Sequence, residues 1–423
     1  MIAGMSSRTF RFSLALILMP VAAGWASRAA PMTAAGKPAE VEVAPFLRAP
    51  AFDVRKLTSK PGQPSVAVAV DGTVLVFWGK RGLPYLFRSE DGGETWSDEI
   101  TVTEDPNHAG STGAAVVDEL TGDVLIFCYR IGGVWMNGHS WRSRNHGKTW
   151  IDNGATDDIV KPNTAVLIDG IPSKPGRGML SGNDSGITLR HGEHRGRLLI
   201  SARNWSRPGQ PVSSEERHSL AIYSDDGGRS WQTSGPFPAY GTGEAALEEL
   251  SDGRIYYNSR RHWAPEGVNP RRRRWIAWSY DGGATWKDLA ACAALPDGHT
   301  SGTGDPGLMG AVTRLPVRGR DILLFSNMDS PEGRRNGTVW VSFDGAKTWP
   351  LKRSVEAGGF QYSSLAMGRP GTASEGYVYL LYQGGGPKVA RFNLSWVLEG
   401  TLTGDGTVPE WVRATADGLR PPR

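Results

Sequence analysis

The octapeptide Ser89-Glu90-Asp91-Gly92-Gly93-Glu94-Thr95-Trp96 returns four more times in this chain. The other copies are Ser143-Arg144-Asn145-His146-Gly147-Lys148-Thr149-Trp150, Ser224-Asp225-Asp226-Gly227-Gly228-Arg229-Ser230-Trp231, Ser279-Tyr280-Asp281-Gly282-Gly283-Ala284-Thr285-Trp286 and Ser342-Phe343-Asp344-Gly345-Ala346-Lys347-Thr348-Trp349. Each position has a turn role. The Asp or Asn side chain accepts from backbone N–H groups ahead of it, Gly permits a positive φ, and the hydroxyls add local bonds. The closing Trp is expected to lie buried under its own turn as an anchor. One such box is a hairpin; five, spaced by 54, 81, 55 and 63 residues, are a repeat architecture.

Strand-like runs flank the boxes: Val66–Phe77, Ala114–Tyr129, Arg197–Ala202, Arg254–Ser259, Asp321–Phe325 and Gly376–Tyr382. They are rich in Val, Ile, Leu and Tyr, and no stretch after the N-terminus sustains a helical apolar period. With 55 Gly and 28 Pro, the composition is that of a turn-dense all-β chain. Five boxes and a box-free C-terminal segment predict a six-bladed β-propeller, all-β. The predicted division is a signal peptide over 1–26, a lead-in over 27–55, the propeller over 56–400 and a C-terminal tail over 401–423.

Arg8 and Arg11 precede the apolar run Phe12–Ala23, and Gly24-Trp25-Ala26 offers small residues for cleavage after Ala26. That is a signal-peptide layout, predicting a secreted or periplasmic protein; the run is short for a membrane span. Two cysteines, Cys128 and Cys292, cannot form a disulfide framework. One bridge between them stays open, and Cys128, in an apolar run, reads as a buried thiol. With 47 basic and 43 acidic residues the charge balance is too even to imply a nucleic-acid partner. Arg271-Arg272-Arg273-Arg274 is a local exception, read as a solvated hairpin or strand end.

Beyond the boxes, the chain carries five further motifs in order. They are Ser185-Gly186-Ile187-Thr188-Leu189 with Gly196-Arg197-Leu198, Glu244 through Gly253 with Asn258-Ser259-Arg260, and Phe325-Ser326-Asn327 with Arg334 through Thr338. Gly359-Phe360-Gln361-Tyr362-Ser363 and Phe392-Asn393-Leu394-Ser395-Trp396 complete the set. From about residue 60 to 398 the chain resembles the sialidases (neuraminidases). The resemblance implies a retaining, cofactor-free and metal-free glycosidase acting on sialylated or other acidic glycans. A tyrosine nucleophile is that family's known exception to the two-carboxylate rule of glycosidases. Tyr362 matches that tyrosine, and Glu244 matches the carboxylate that takes its proton. Arg260 and Arg334 match two of the three arginines that hold the substrate carboxylate. The physical logic is direct: guanidiniums pair with a carboxylate in a fixed fork, and a neutral phenol is not repelled by it as a carboxylate nucleophile would be.

Two departures stand beside these matches. The family opens with an R-I-P motif whose arginine is the first clamp; here Pro61-Gly62-Gln63-Pro64 puts Gly62 there. The glutamate that orients that arginine is replaced too, in Leu380-Leu381-Tyr382-Gln383. Losing both together avoids an orphan charge. The acid/base aspartate of the family lies on a loop that has shrunk here to Gly82 through Phe87, with no carboxylate. Asp105, His108 and Asp184 are the candidates to replace it, and Arg81 is a candidate to take over part of the lost clamp. Three functions remain open on the sequence: an exo-α-sialidase, a related glycosidase on another acidic sugar, and a non-catalytic glycan-binding propeller.

Overall fold

Each box sits at the same place in a repeating four-stranded unit, between its third and fourth strands. The structure, a computed structural model, describes Met1 and residues 40–79, 82–108, 110–129, 138–173, 176, 178–180, 184–204, 217–264, 267–298 and 307–418. The expected signal peptide and Arg81 lie outside the described residues.

Blade 1 runs Gln63–Val68, Val74–Gly79, Tyr85–Ser89 and Ile100–Thr101, each strand antiparallel to the last. Blades 2, 4 and 5 repeat this plan from Ser111–Val117, Ala245–Glu249 and Ala311–Arg314 as inner strands. Blade 3 has a short inner strand, Ile187–Thr188, and carries extra elements between residues 156 and 180, which accounts for the 81-residue box spacing. Blade 6 runs Ser363–Met367, Val378–Gln383 and Pro387–Phe392, and its outermost strand is Phe52–Lys56 from the other end of the chain. That pairing closes the ring.

The strands read as continuous apolar runs because each blade buries both faces. Val66 and Val68 point into the gap with blade 6, whereas Ala67 points into the gap with blade 2, as a period of two requires. Six hydrophobic clusters result, one in each gap between neighbouring blades.

The propeller extends past the predicted limits of 56 and 400 at both ends. Phe52–Lys56 belongs to blade 6, Thr401–Leu402 adds to the edge of blade 5, and the helix Glu410–Gly418 buries Val412 and Ala416 in the blade 5–6 cluster. Ring closure needs an outer strand, and an edge strand half open to solvent lacks the apolar run that marks the others. Both cysteines are free and buried, so no bridge joins them.

The boxes behave as their chemistry dictates. The Thr or Ser amide donates to the Asp or Asn oxygen at 2.9 Å in all five. The amide three residues before the Trp donates to the leading Ser Oγ at 2.7–2.9 Å. Burial of the Trp is less uniform than expected. Trp231, Trp286 and Trp349 are buried, whereas Trp96 and Trp150 are half-buried. The rings also reach beyond their own turns: Trp150 meets Phe77 of blade 1 edge-on at 5.6 Å, and Trp231 meets Phe127 of blade 2 at 5.3 Å. A box Trp is thus a wedge between blades. Trp231→Ala is expected to cost about 3–5 kcal/mol, the range for truncating a buried aromatic, read as a lowered denaturation midpoint. An unchanged midpoint would show that the wedge contributes nothing.

Candidate active site

The four-stranded plan puts the boxes at one end of the axis. At the other end lie the starts of the inner strands, the ends of the second strands and the loops after them. Glu244, Arg260, Arg334 and Tyr362 all occur at that second end, on blades 4, 5 and 6.

Glu244 and Arg260 are brought together by register. They extend the pairing of Ala245–Glu249 with Ile255–Ser259 by one residue, with the Arg260 N–H donating to the Glu244 carbonyl at 2.9 Å. Arg260 Nη1 donates to Glu244 Oε2 at 2.6 Å. The other carboxylate oxygen, Oε1, accepts the phenolic proton of Tyr362, which precedes the inner strand of blade 6. One carboxylate therefore joins a tyrosine and an arginine that are far apart in sequence. Arg334 lies alongside, its guanidinium 5.6 Å from the Tyr362 ring centroid and its Nη2 donating to the Gly307 carbonyl at 2.8 Å.

Electrostatics fixes the protonation states. Burial pushes the Glu244 carboxyl up, but Arg260 and Arg203 and the bonds from Tyr362 and Arg260 outweigh it and hold the group below its ordinary 4.5. Burial, followed by the adjacent Glu244 charge, pushes the Tyr362 phenol well above its usual range. The resting pair is a carboxylate and a neutral phenol sharing one proton. Glu248 and Glu249 stand at the opposite end of the same strand, about 13 and about 16 Å from Glu244 at ~3.3 Å per residue. They accept the backbone N–H groups of Arg314, Arg190 and His191.

Arg260 is fully buried. Besides Glu244 it bonds Asp297 Oδ1 through Nε at 3.1 Å, and Arg274 approaches the same oxygen at 3.4 Å. Asp297 and Arg274 carried no motif. Arg274 corrects the reading of the arginine run as solvated: in the strand Arg273–Ser279 it faces inward and bonds Asn258 Oδ1 at 2.6 Å, whereas Arg271 is exposed. Arg261 serves elsewhere, stacked on Trp275 and bonded to the Tyr240 carbonyl, and Arg335 is exposed.

The place of the missing clamp is filled. Gln383 Nε2 donates to the Gly62 carbonyl, so the two positions that lost their charges still touch. A Cβ on Gly62 would lie 2.1 Å from Nε1 of Trp78, a buried indole that donates to the Lys60 carbonyl at 2.8 Å. The indole takes the space a side chain at 62 would need.

Of the candidate acids, Asp184 is 2 % exposed and tied across the axis, accepting from Val312 N–H of blade 5 at 3.0 Å and Leu365 N–H of blade 6 at 3.4 Å. A carboxyl so enclosed cannot reach a leaving group. His108 and Asp105 lie on the active face of blade 2. There His108 stacks on His139 at 4.1 Å, and His139 Nε2 is 2.7 Å from Asp152 Oδ1. Among the described residues no group of three or more His, Cys, Asp or Glu is placed to hold a metal ion, and no helix is long and apolar enough to cross a membrane.

The repeats and the fold have counterparts among known proteins. Residues 85–379 match the family described as a BNR repeat-like domain. A sialidase of Micromonospora viridifaciens is 30% identical over 344 residues, covering 76% of this chain and 48% of the relative. A sialidase of Bacteroides fragilis is 28% identical over 313 residues, covering 67% and 51%. The chain thus spans about half the length of these curated relatives. Among solved structures, a Hadza microbial sialidase superposes with a TM-score of 0.61 at 22% identity, covering 79% of this chain and 66% of that one. The leech intramolecular trans-sialidase superposes at 0.59 and 16% identity, covering 80% and 69%. Box repeats, ring of six blades and family match converge: this chain belongs to the BNR-repeat sialidase family, as a divergent member.

Proposed function

We propose that this protein is an exo-α-sialidase that releases terminal sialic acids from glycoconjugates with retention of configuration. The observation that carries the reading is the hydrogen bond from the Tyr362 phenol to Glu244, with two guanidiniums beside it. Arg334 receives the substrate carboxylate; Arg260, expected to share that role, is fully buried between Glu244 and Asp297 and instead holds the Glu244 charge in place. Tyr362 Oη attacks the anomeric carbon and its proton passes to Glu244, while the bond to the aglycone oxygen breaks. Water then attacks the same carbon and expels the tyrosinate, which recovers the proton from Glu244; the water's spare proton leaves to solvent. Two inversions give net retention. With no aspartate on the shortened blade 1 loop, an aglycone that leaves readily as an anion is the favoured substrate. Arg8, Arg11 and the run Phe12–Ala23 support secretion or periplasmic export.

Trp78 in the place of the first clamp favours one other reading: the same chemistry on a different acidic sugar. A panel of fluorogenic glycosides separates the two. Release from sialosides is expected, and release only from another acidic sugar overturns the substrate assignment. The pH profile tests the base. Glu244 is depressed below 4.5, so its base form is lost only as pH falls through that lowered value. The kcat/KM on an activated sialoside should therefore stay level from neutral pH down to 4.5 and decline below it. A decline centred above 4.5 would contradict Glu244 as the base.

A further inference from the structure

The insertion that lengthens blade 3 carries a hairpin to the active end of the propeller. Its strands, Leu167–Ile168 and Ile171–Pro172, pair directly, and Asp169-Gly170 makes the turn between them. Both turn residues have positive φ, 49° and 75°, as a two-residue Asp-Gly hairpin turn requires. The turn is pinned in place. Asp169 Oδ2 accepts from Arg261 Nη2 at 3.2 Å and from the Tyr240 N–H at 3.3 Å, and at the hairpin base Asn163 donates to the Ser234 carbonyl at 2.9 Å. Ile168 is buried, but its neighbours are not: Leu167 is 70%, Ile171 56% and Val166 40% exposed. Beyond Met1, Leu167 is the most exposed large apolar side chain among the described residues. A firmly held backbone thus keeps three apolar side chains in water.

Arg261 links this hairpin to the arginine run. Its guanidinium, bonded to Asp169, stacks on Trp275 at 4.2 Å, and Trp275 lies in the strand that begins at Arg273. The loop leading into that strand is on the active face, with Val268 and Arg271 exposed and Arg272 and Arg273 half-buried. The charge around both elements is positive. Residues 264–273 set three arginines against one glutamate, and residues 161–177 set three basic residues against Asp169, which Arg261 already meets. Three side chains on one projecting turn cannot enclose a small ligand. They are also too few for a stable protein interface, which buries about 1,200–2,000 Å². Apolar side chains that dip into the headgroup boundary, beside basic ones that meet anionic headgroups, are what reversible attachment to a lipid surface needs.

We propose that Val166, Leu167 and Ile171, with the arginine loop at 271–273, form a docking surface for an anionic lipid membrane and turn the active face toward it. The preferred substrate is then a glycan carried on a lipid in that membrane. This last step rests on the sialidase reading; the docking itself does not.

The test sediments the full protein with vesicles of phosphatidylcholine alone and of phosphatidylcholine mixed with phosphatidylglycerol. The parent should bind the mixed vesicles about tenfold more tightly, and added salt should shrink that difference. Leu167→Ser combined with Ile171→Ser should weaken binding to the mixed vesicles about tenfold. Arg271→Gln combined with Arg272→Gln should remove the preference for anionic lipid. Parent and variants share the apolar run Phe12–Ala23, so any binding through it cancels. The substituted side chains are outside the Tyr362–Glu244 site, so kcat/KM on soluble sialyllactose should equal the parent's, while release from a sialylated glycolipid in vesicles falls. Thermal melting checks that the variants fold. A parent that binds no vesicles, or a Leu167→Ser, Ile171→Ser variant that binds as the parent does, overturns the surface. So does a parent that light scattering shows as a dimer and that variant as a monomer, which would make the patch an interface between copies. An anionic preference kept by the Arg271→Gln, Arg272→Gln variant removes the arginine loop from the surface. Lost vesicle binding with unchanged glycolipid release overturns the lipid-linked substrate. If neither substrate is cleaved, vesicle binding lost in the serine variant upholds the surface while the sialidase reading falls.

Discussion

Tyr362→Phe is expected to lower turnover of a nitrophenyl sialoside by on the order of a thousandfold or more, while sialic acid affinity changes little. The substitution removes one oxygen and leaves the ring in place. That oxygen is the attacking atom of the mechanism, and it is also the group whose proton Glu244 accepts. Binding rests on Arg334, which the change does not touch. A nitrophenyl leaving group departs without protonation, so the assay reads nucleophilic attack rather than the absent acid. Activity near that of the parent in the Phe variant would remove the tyrosine mechanism. A parent that binds sialic acid but never turns over would mark a glycan-binding propeller.

Arg260→Met and Arg334→Met should part company. Arg260 is fully buried between Glu244 and Asp297. Its loss takes from buried Glu244 its bonded guanidinium and from Asp297 one of two, a defect that costs about 3–5 kcal/mol. The Arg260 variant should therefore melt at lower temperature and lose activity together, because the Glu244 charge is no longer held. Arg334 is half-buried and bonds a backbone carbonyl. Its variant should melt near the parent temperature and raise KM. Denaturation curves beside Michaelis parameters decide the matter. A stable, KM-only Arg260 variant would show that the buried ion pairs are not what holds the site.

The boxes were legible in the sequence because every bond that shapes them lies within eight residues, and the same distances recur in all five copies. Tyr362, Glu244, Arg260 and Arg334 were legible through motifs, and the register pairing of Glu244 with Arg260 follows from the strands they border. Asp297 and Arg274 were not. Arg274 was masked by three neighbouring arginines, and only the alternation of its strand turns it inward. Trp78 looked like one more apolar strand residue, and only folding lays its indole on Gly62. The closing strand Phe52–Lys56 was hidden because an edge strand needs no continuous apolar run. Local chemistry was readable; what depended on one blade meeting another was not.

The most direct measurement follows the cleavage of an activated sialoside by proton NMR and identifies the anomer of free sialic acid that appears first. Attack by Tyr362 and then by water predicts that the α anomer forms first and afterwards equilibrates with the β form. First appearance of the β anomer would contradict a covalent intermediate on Tyr362.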